Sequence, residues 1–233
     1  MKYAYLILLS ILINLSVIGQ SIFPLKAIFF PNISQPIYKT DESVPSPVVT
    51  TIKEREIAKP SLSAGILAGI PLNNNWTIYT GINYMRTGYK YKERNLRPAI
   101  PDPIIPEKIK TVYKSENIEI PIHANRYIFQ KEKIGLYAMA GPSIWFNISN
   151  KKIDRLTYID GRTEKEKTDD LGMEFKTVNL TLSAGIGLEY KLSNKFDFFI
   201  QPMSQLSLLG ISIDAPLNRD IFNFGIAFGI ILK

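Results

Sequence analysis

Residues 177–192 read TVNLTLSAGIGLEYKL, and this stretch decides the fold class. Apolar side chains, most of them large, occupy every second position from Val178 to Leu192, and small or polar residues such as Gly185 stand between them. A repeat of two residues is the spacing of a β-strand, whose side chains point alternately to opposite faces. Strands in soluble proteins usually have about 5 to 6 residues, so the stretch predicts an unusually long strand with one apolar face.

The same alternation recurs in other windows that carry no charged residue. It is clearest at 134–148 and at 221–232, where large apolar groups again oppose small or polar ones. In a water-soluble sandwich the apolar face would form the core. A membrane barrel would turn that face toward lipid and keep Gly, Ser, Thr, Asn and Tyr inside. Alternation by itself leaves both possibilities open.

The lengths of the connections favour the membrane barrel. Short polar turns at 73–75, 130–133 and 193–195 alternate with long connections at 92–110, 149–174 and 209–219. Outer-membrane barrels show this because one end carries short periplasmic turns and the other carries long extracellular loops, whereas sandwiches lack such regularity. We therefore predict an all-β transmembrane antiparallel up-and-down barrel of eight strands.

Seven of these strands are predicted directly from the pattern. They lie at 61–72, 76–91, 112–124, 134–148, 177–192, 196–208 and 221–232. A closed antiparallel barrel needs an even number of strands, because unpaired backbone groups are very unfavourable in lipid. We expect the eighth strand at 22–30 or at 48–57, and we expect a proline-containing loop at 33–47.

The N-terminus is predicted to be a cleaved signal peptide. Lys2 precedes an apolar run over 3–18, which is followed by Gly19 and Gln20. Small residues after an apolar run mark a cleavage site, and we place it after Gly19; an uncleaved anchor helix is the alternative. The expected regions are a signal peptide (1–19), a segment with one poorly defined strand and a loop (20–59), and the barrel (60–233).

Composition limits the chemistry that the chain can perform. The sequence has no cysteine, one histidine and a formal net charge of +7. Without thiols there are no disulfides, thiol nucleophiles or thiolate metal sites, and the charge is not clustered as nucleic-acid binding would require. We expect no cofactor, no metal, no nucleic acid and no enzymatic activity.

Parts of the chain resemble a bacterial outer-membrane β-barrel domain family that includes PorT-like proteins. The resemblance lies in SLSAGILAGIPLNNNWTIYTGINYMRTGYKY (61–91), NIEIPIHANRYIFQKEKIGLYAMAGPSIWF (117–146) and LTLSAGIGLEYKLSNKFDFFIQPMSQLSLLGI (180–211), with Glu-Ile-Pro at 119–121 and Ala-Gly-Pro at 140–142 as its more specific elements. It implies an eight-stranded barrel in the outer membrane without a family-wide enzymatic activity. The first strand and the C-terminal Lys233 depart from the family pattern.

A polar cluster is expected inside the barrel, where a buried charge must be paired. Its members are Asn117, Glu119, His123, Glu189 and Lys191. We expect Glu119 and Glu189 to meet Lys191 or Arg126. A lumen hydrolase would instead pair His123 with Ser143 or Ser115, and we favour the hydrogen-bonded plug.

The region 90–114 forms a basic loop in this interpretation, with seven cations and three acids (7 − 3 = +4). Its cations are candidates for contact with lipopolysaccharide phosphates, and a merely solvated loop is the alternative. The candidate residues are Lys90, Lys92, Arg94, Arg97, Lys108 and Lys110.

The favoured function is a structural or interaction role through extracellular loops, exerted by a monomer in the bacterial outer membrane. The interior of an eight-stranded barrel is just filled by its own side chains, and Tyr137, Met139, Trp145, Met203 and Gln205 are expected to block a pore. The expected partners are outer-membrane lipid, lipopolysaccharide and other proteins. The alternatives are a component of a PorT-type secretion system and a narrow channel or lumen-active lipid hydrolase.

Overall fold

The computed structural model describes residues 23–40, 44–96, 104–169, 174–213 and 217–233, so the predicted signal peptide lies outside the described residues. The strands are β1 (Leu25–Thr40), β2 (Glu56–Ile57), β3 (Lys59–Asn73), β4 (Trp76–Tyr91), β5 (Arg94–Asn95), β6 (Lys108–Gln130), β7 (Ile134–Thr157), β8 (Thr163–Thr168), β9 (Val178–Lys191), β10 (Phe196–Ser207) and β11 (Leu217–Leu232). Helix α1 (Ser46–Arg55) lies between β1 and β2. Within the described ranges, no helix is long and apolar enough to cross a membrane.

The eight long strands pair in a closed ring, in the order β1, β3, β4, β6, β7, β9, β10, β11 and back to β1. Every neighbouring pair is antiparallel. Because β11 pairs with β1, neither of these strands leaves an open edge, which is the condition for a sheet to stand in lipid. The predicted antiparallel up-and-down barrel is therefore confirmed.

The apolar face of the ring points outward. Leu182, Ile186, Phe224 and Phe228 are all exposed, with Ile186 at 57% and Phe224 at 56%. The five side chains expected to block a pore point the other way and are buried inside the ring: Tyr137, Met139, Trp145, Met203 and Gln205. A water-soluble sandwich would bury its apolar side chains and expose its polar ones. The opposite arrangement seen here suits a protein surrounded by lipid.

The eighth strand of the ring is β1, and its position was predicted only in part. The candidate at 22–30 overlaps β1, whereas the candidate at 48–57 is wrong because most of it forms α1. The expected loop at 33–47 is wrong over 33–40, where β1 continues as a strand. Pro36 has no backbone N–H to donate. It is tolerated there because the described pairing of β1 with β3 ends at Ser34, so that at Pro36 the strand pairs with β11 alone.

Two strands run well past their predicted ends. β6 has 23 residues and β7 has 24, and the expected loop at 149–174 is wrong where β7 continues and where β8 pairs with it. The short β5 pairs with the beginning of β6. The beginning of β6 and the end of β7, together with β5 and β8, thus form a sheet extension beyond the ring.

The ring has two different ends. Short turns join β3 to β4, β6 to β7 and β9 to β10, and the paired ends of β1 and β11, Leu25 and Leu232, lie at the same end. We call this the short-turn end. The longer connections and the sheet extension lie at the opposite end, which we call the long-connection end.

Candidate functional site

The middle of the lumen is filled by a hydrogen-bonded carboxylate. Glu119 on β6 is 2% exposed and accepts hydrogen bonds from the amide of Asn83 on β4 (2.9 Å) and from the amide of Gln205 on β10. Because these donors come from different sides of the ring, the carboxylate ties opposite walls together. Hydrogen bonds to a charged acceptor are among the stronger ones in proteins.

A lysine occupies the lumen nearer the short-turn end. Lys26 on β1 donates to the hydroxyl oxygen of Tyr137 (3.1 Å) and to Oε1 of Gln201 (3.2 Å), and its ammonium stands 3.9 Å from the ring centroid of Phe199. Tyr127 donates to the carboxylate of Glu189 at 2.8 Å. Sequence reasoning missed Lys26, although a single lysine within the apolar stretch 22–30 was a usable signal.

Four of the five residues expected in the polar cluster are buried: Asn117, Glu119, His123 and Glu189. Lys191 is the exception, because it is exposed at the short-turn end. Arg126 is also exposed, with its guanidinium 5.7 Å from the ring of Trp76. The expected pairing of the carboxylates with these two cations is therefore replaced by amide and phenol donors.

The geometry around His123 bears on the hydrolase alternative. The hydroxyl of Ser143 lies 3.5 Å from Nε2 of His123, at the limit of a hydrogen bond, and both residues are buried. The cavity beside His123 and Glu119 measures about 10 Å³, while Ser115 accepts a hydrogen bond from Asn147 at 2.8 Å. One water needs about 10 to 15 Å³, so the described residues leave no space for a substrate beside this pair.

A buried ion pair closes the lumen toward the long-connection end. Arg219 on β11 donates to Glu56 on β2 through Nη2 (2.7 Å) and Nε (2.9 Å), and the side chains are 9% and 0% exposed. The hydroxyls of Tyr38 and Tyr91 donate to the same carboxylate, each at 3.0 Å.

Beyond this ion pair lies a cavity of about 410 Å³, which we call the outer vestibule. Four cations and one acid, Glu93, line it together with two tyrosine rings; the cations are Arg55, Lys92, Arg94 and Lys152, and the rings are those of Tyr91 and Tyr113. The ring of Tyr113 stacks on that of Tyr89 at a centroid distance of 4.8 Å. Cations beside flat aromatic faces suit a ligand that carries both negative charge and a ring.

The residues of the predicted basic loop lie in different elements of the structure. Lys92 and Arg94 line the outer vestibule, and Lys90, the second-last residue of β4, pairs with Ile57. Lys108 and Lys110 stand within β6, so the expectation of a single continuous loop is wrong. Arg97 lies outside the described residues.

Comparisons with known proteins agree with the ring described above. A sequence model of the outer membrane protein beta-barrel domain matches residues 35–207. No curated protein matches the chain.

Among the solved structures that match this chain are proteins of bacterial surfaces and outer membranes. Neisserial surface protein A has a TM-score of 0.47 and 14% identity, over 91% of this chain and 97% of that one. Ail of Yersinia pestis, in complex with the heparin analogue sucrose octasulfate, has a TM-score of 0.36 and 13% identity over 90% and 98%. The outer membrane protease OmpT from Escherichia coli has a TM-score of 0.40 and 9% identity over 90% and 96%.

Proposed function

The chain belongs to the outer membrane protein beta-barrel domain family, and from this premise we propose that it acts as a closed barrel through contacts at its long-connection end. It is a protein of the bacterial outer membrane, and in such barrels the longer connections face the outside of the cell. In this proposal, the outer vestibule and the sheet extension are the parts of the barrel that contact partners outside the cell.

The filled lumen is the observation that carries this proposal. Cavities in its middle measure about 10 and 20 Å³, which is close to the volume of a single water. Glu119 and the Glu56–Arg219 pair occupy two successive levels of the same passage. A solute thus has no path through the described residues, which favours action at a surface over transport or lumen catalysis.

The outer vestibule is the part of that end best suited to hold a ligand. Three of its cations, Arg55, Lys92 and Arg94, are exposed, whereas Lys152 is held by Asp154 at 2.8 Å. Tyr91 and Tyr113 supply flat apolar faces to which sugar rings bind. We propose that the ligand class is a sugar bearing phosphate or sulfate groups.

The test is binding of sucrose octasulfate to the purified barrel in neutral detergent, measured by isothermal titration. The vestibule variant reverses three charges through Arg55→Glu, Lys92→Glu and Arg94→Glu. We expect saturable binding to the wild type and an affinity at least tenfold weaker in this variant, because three attractive contacts become repulsive.

A second triple variant provides the matched control for the titration. It reverses Lys110, Arg155 and Lys165, exposed cations of the sheet extension that do not line the outer vestibule. We expect its affinity for sucrose octasulfate to stay within twofold of the wild type. Equal weakening in both variants, or no saturable binding to the wild type, would refute the role of the outer vestibule.

A further inference from the structure

The sheet extension separates its charges by face. Residues 163–168 read TEKEKT and form β8, so the two-residue period of a strand places Lys165 and Lys167 on one face and Glu164 and Glu166 on the other. The same period acts in β7, where Arg155 and Asp154 are adjacent in sequence and therefore point to opposite faces.

The register gathers the cations of three strands onto one face. Lys110 on β6 stands opposite Arg155 on β7, which in turn stands opposite Lys165 on β8. Lys114 stands opposite Lys151 in the same sheet. Residues that face each other across an antiparallel pair share a face, so seven cations form one surface, which we call the basic face: Lys108, Lys110, Lys114, Lys151, Arg155, Lys165 and Lys167.

The basic face continues the lipid-facing side of the ring. On β6 the even-numbered positions carry both Lys114 and the exposed Ile120 and Ile122, while the odd-numbered Glu119 is buried in the lumen. Lys114 is four positions from Ile118 and Lys110 is eight positions from it, about 13 and 26 Å along the strand. The strands of such barrels are tilted, so the height of Lys114 above the apolar band is smaller still.

The acids of the extension neutralise little of this surface. Glu116, the acid on the outward side of β6, is bound by Lys114 (2.5 Å) and lies 3.6 Å from Arg86, and Asp154 lies on the inner face with Lys152. In the described part of the chain, five cations of the basic face have no acidic side chain within ion-pair distance: Lys110, Lys151, Arg155, Lys165 and Lys167.

We propose that the basic face binds the phosphate groups of lipid headgroups in the outer leaflet, namely those of lipopolysaccharide. The proposal rests on the proposed function, because it requires the long-connection end to face the outside of the cell. Lysine and arginine side chains can lay their apolar stems along the sheet and extend their charges to the headgroup level. A soluble polyanion would need the charges alone, whereas the direct continuity with the apolar band favours a lipid.

The experiment compares two lipid probes that differ in phosphate alone. Barrels in neutral detergent are titrated with diphosphorylated lipid A and with the same lipid A after removal of its phosphates. The row variant reverses one cross-strand row through Lys110→Glu, Arg155→Glu and Lys165→Glu. The vestibule variant of the preceding section, with the same charge change, is the matched control, and heat-modifiable migration in gels verifies that each protein is folded.

We expect the wild type and the vestibule variant to bind the phosphorylated lipid at least tenfold more tightly than the dephosphorylated one. This preference should shrink as salt rises, since exposed charges are screened, and the row variant should lack it. A preference retained by the row variant, or absent from the wild type, would overturn the proposal. In the vestibule variant, which retains the basic face, tighter binding of sucrose octasulfate than of phosphorylated lipid A would also overturn it.

The two tests fail independently of each other. If the wild type binds sucrose octasulfate but shows no preference for phosphorylated lipid A, the basic face alone is contradicted. If the wild type shows that preference but does not bind sucrose octasulfate, the outer vestibule alone is contradicted.

Discussion

At the scale of single residues, the pair formed by Arg219 and Glu56 is the clearest target for mutation. Arg219→Leu would leave the carboxylate of Glu56 buried without its cation, and removal of one partner of a buried pair lowers stability by about 3–5 kcal/mol. We expect a matching fall in the free energy of unfolding, measured by urea titration of the barrel in detergent.

Two further variants serve as controls for this prediction. Arg162 lies about half exposed in its ion pair with Glu164, so Arg162→Leu should change the free energy of unfolding by at most about 1 kcal/mol. The double variant Glu56→Leu/Arg219→Leu removes both charges and should recover part of the loss. Equal effects of Arg219→Leu and Arg162→Leu would show that the lumen at this level is hydrated.

Single residues also show where the sequence was informative. The alternation over 177–192 puts Gly187 on the face of small and polar residues, and in the lumen a Cβ added there would overlap the ring of Tyr137. The partner of Glu189 could not be predicted in this way. Tyr127 stands 62 positions away in the chain, and only the register of the closed ring brings it to the carboxylate.

At the scale of elements, prediction succeeded wherever the two faces of a strand differ. β4 has its predicted bounds, and β9 differs by one residue at each end. β1 was predicted only in part because Ile28 and Phe30 point into the lumen while Phe29 faces outward, so that both faces are apolar. The sheet extension was missed for the opposite reason, because its alternation is one of charge sign and not of hydropathy.

The boundary between the apolar band and the basic face can be tested on these elements. Ile186 on β9 lies within the band and Val112 on β6 lies between Lys110 and Lys114, both on the outward face. Arginine at the bilayer midplane of a barrel is unfavourable by about 2–4 kcal/mol and by about 0–1 kcal/mol near the interface. We therefore expect Ile186→Arg to lower the free energy of unfolding in lipid vesicles by the larger amount and Val112→Arg by the smaller.

The outcome of that comparison depends on where the membrane ends. Equal losses in the two variants would place Val112 inside the bilayer and contradict the assignment of the basic face to the headgroup level. As a control for general damage, both variants should unfold alike in detergent micelles, which impose no fixed thickness.

At the scale of the whole molecule, the closure of the ring and the filling of its lumen both follow from the alternation of apolar and polar residues along the strands. The same alternation that turns Leu182 and Phe224 toward lipid turns the polar and small residues inward. With eight strands the interior is only wide enough for those side chains. The ring is thus expected to be rigid and closed, while variable surfaces at the long-connection end carry specificity.

This linkage predicts that the barrel does not conduct ions. Current recorded across a planar bilayer containing the wild type should show no stepwise openings, because Glu119 and the Glu56–Arg219 pair block successive levels of the lumen. A general porin, whose wider barrel leaves an aqueous channel, serves as the positive control for the recording. Heat-modifiable migration of the recovered protein would show that it was inserted and folded. Reproducible openings from such protein would mean that the lumen side chains rearrange together, and the case for action at the outer surface alone would fail.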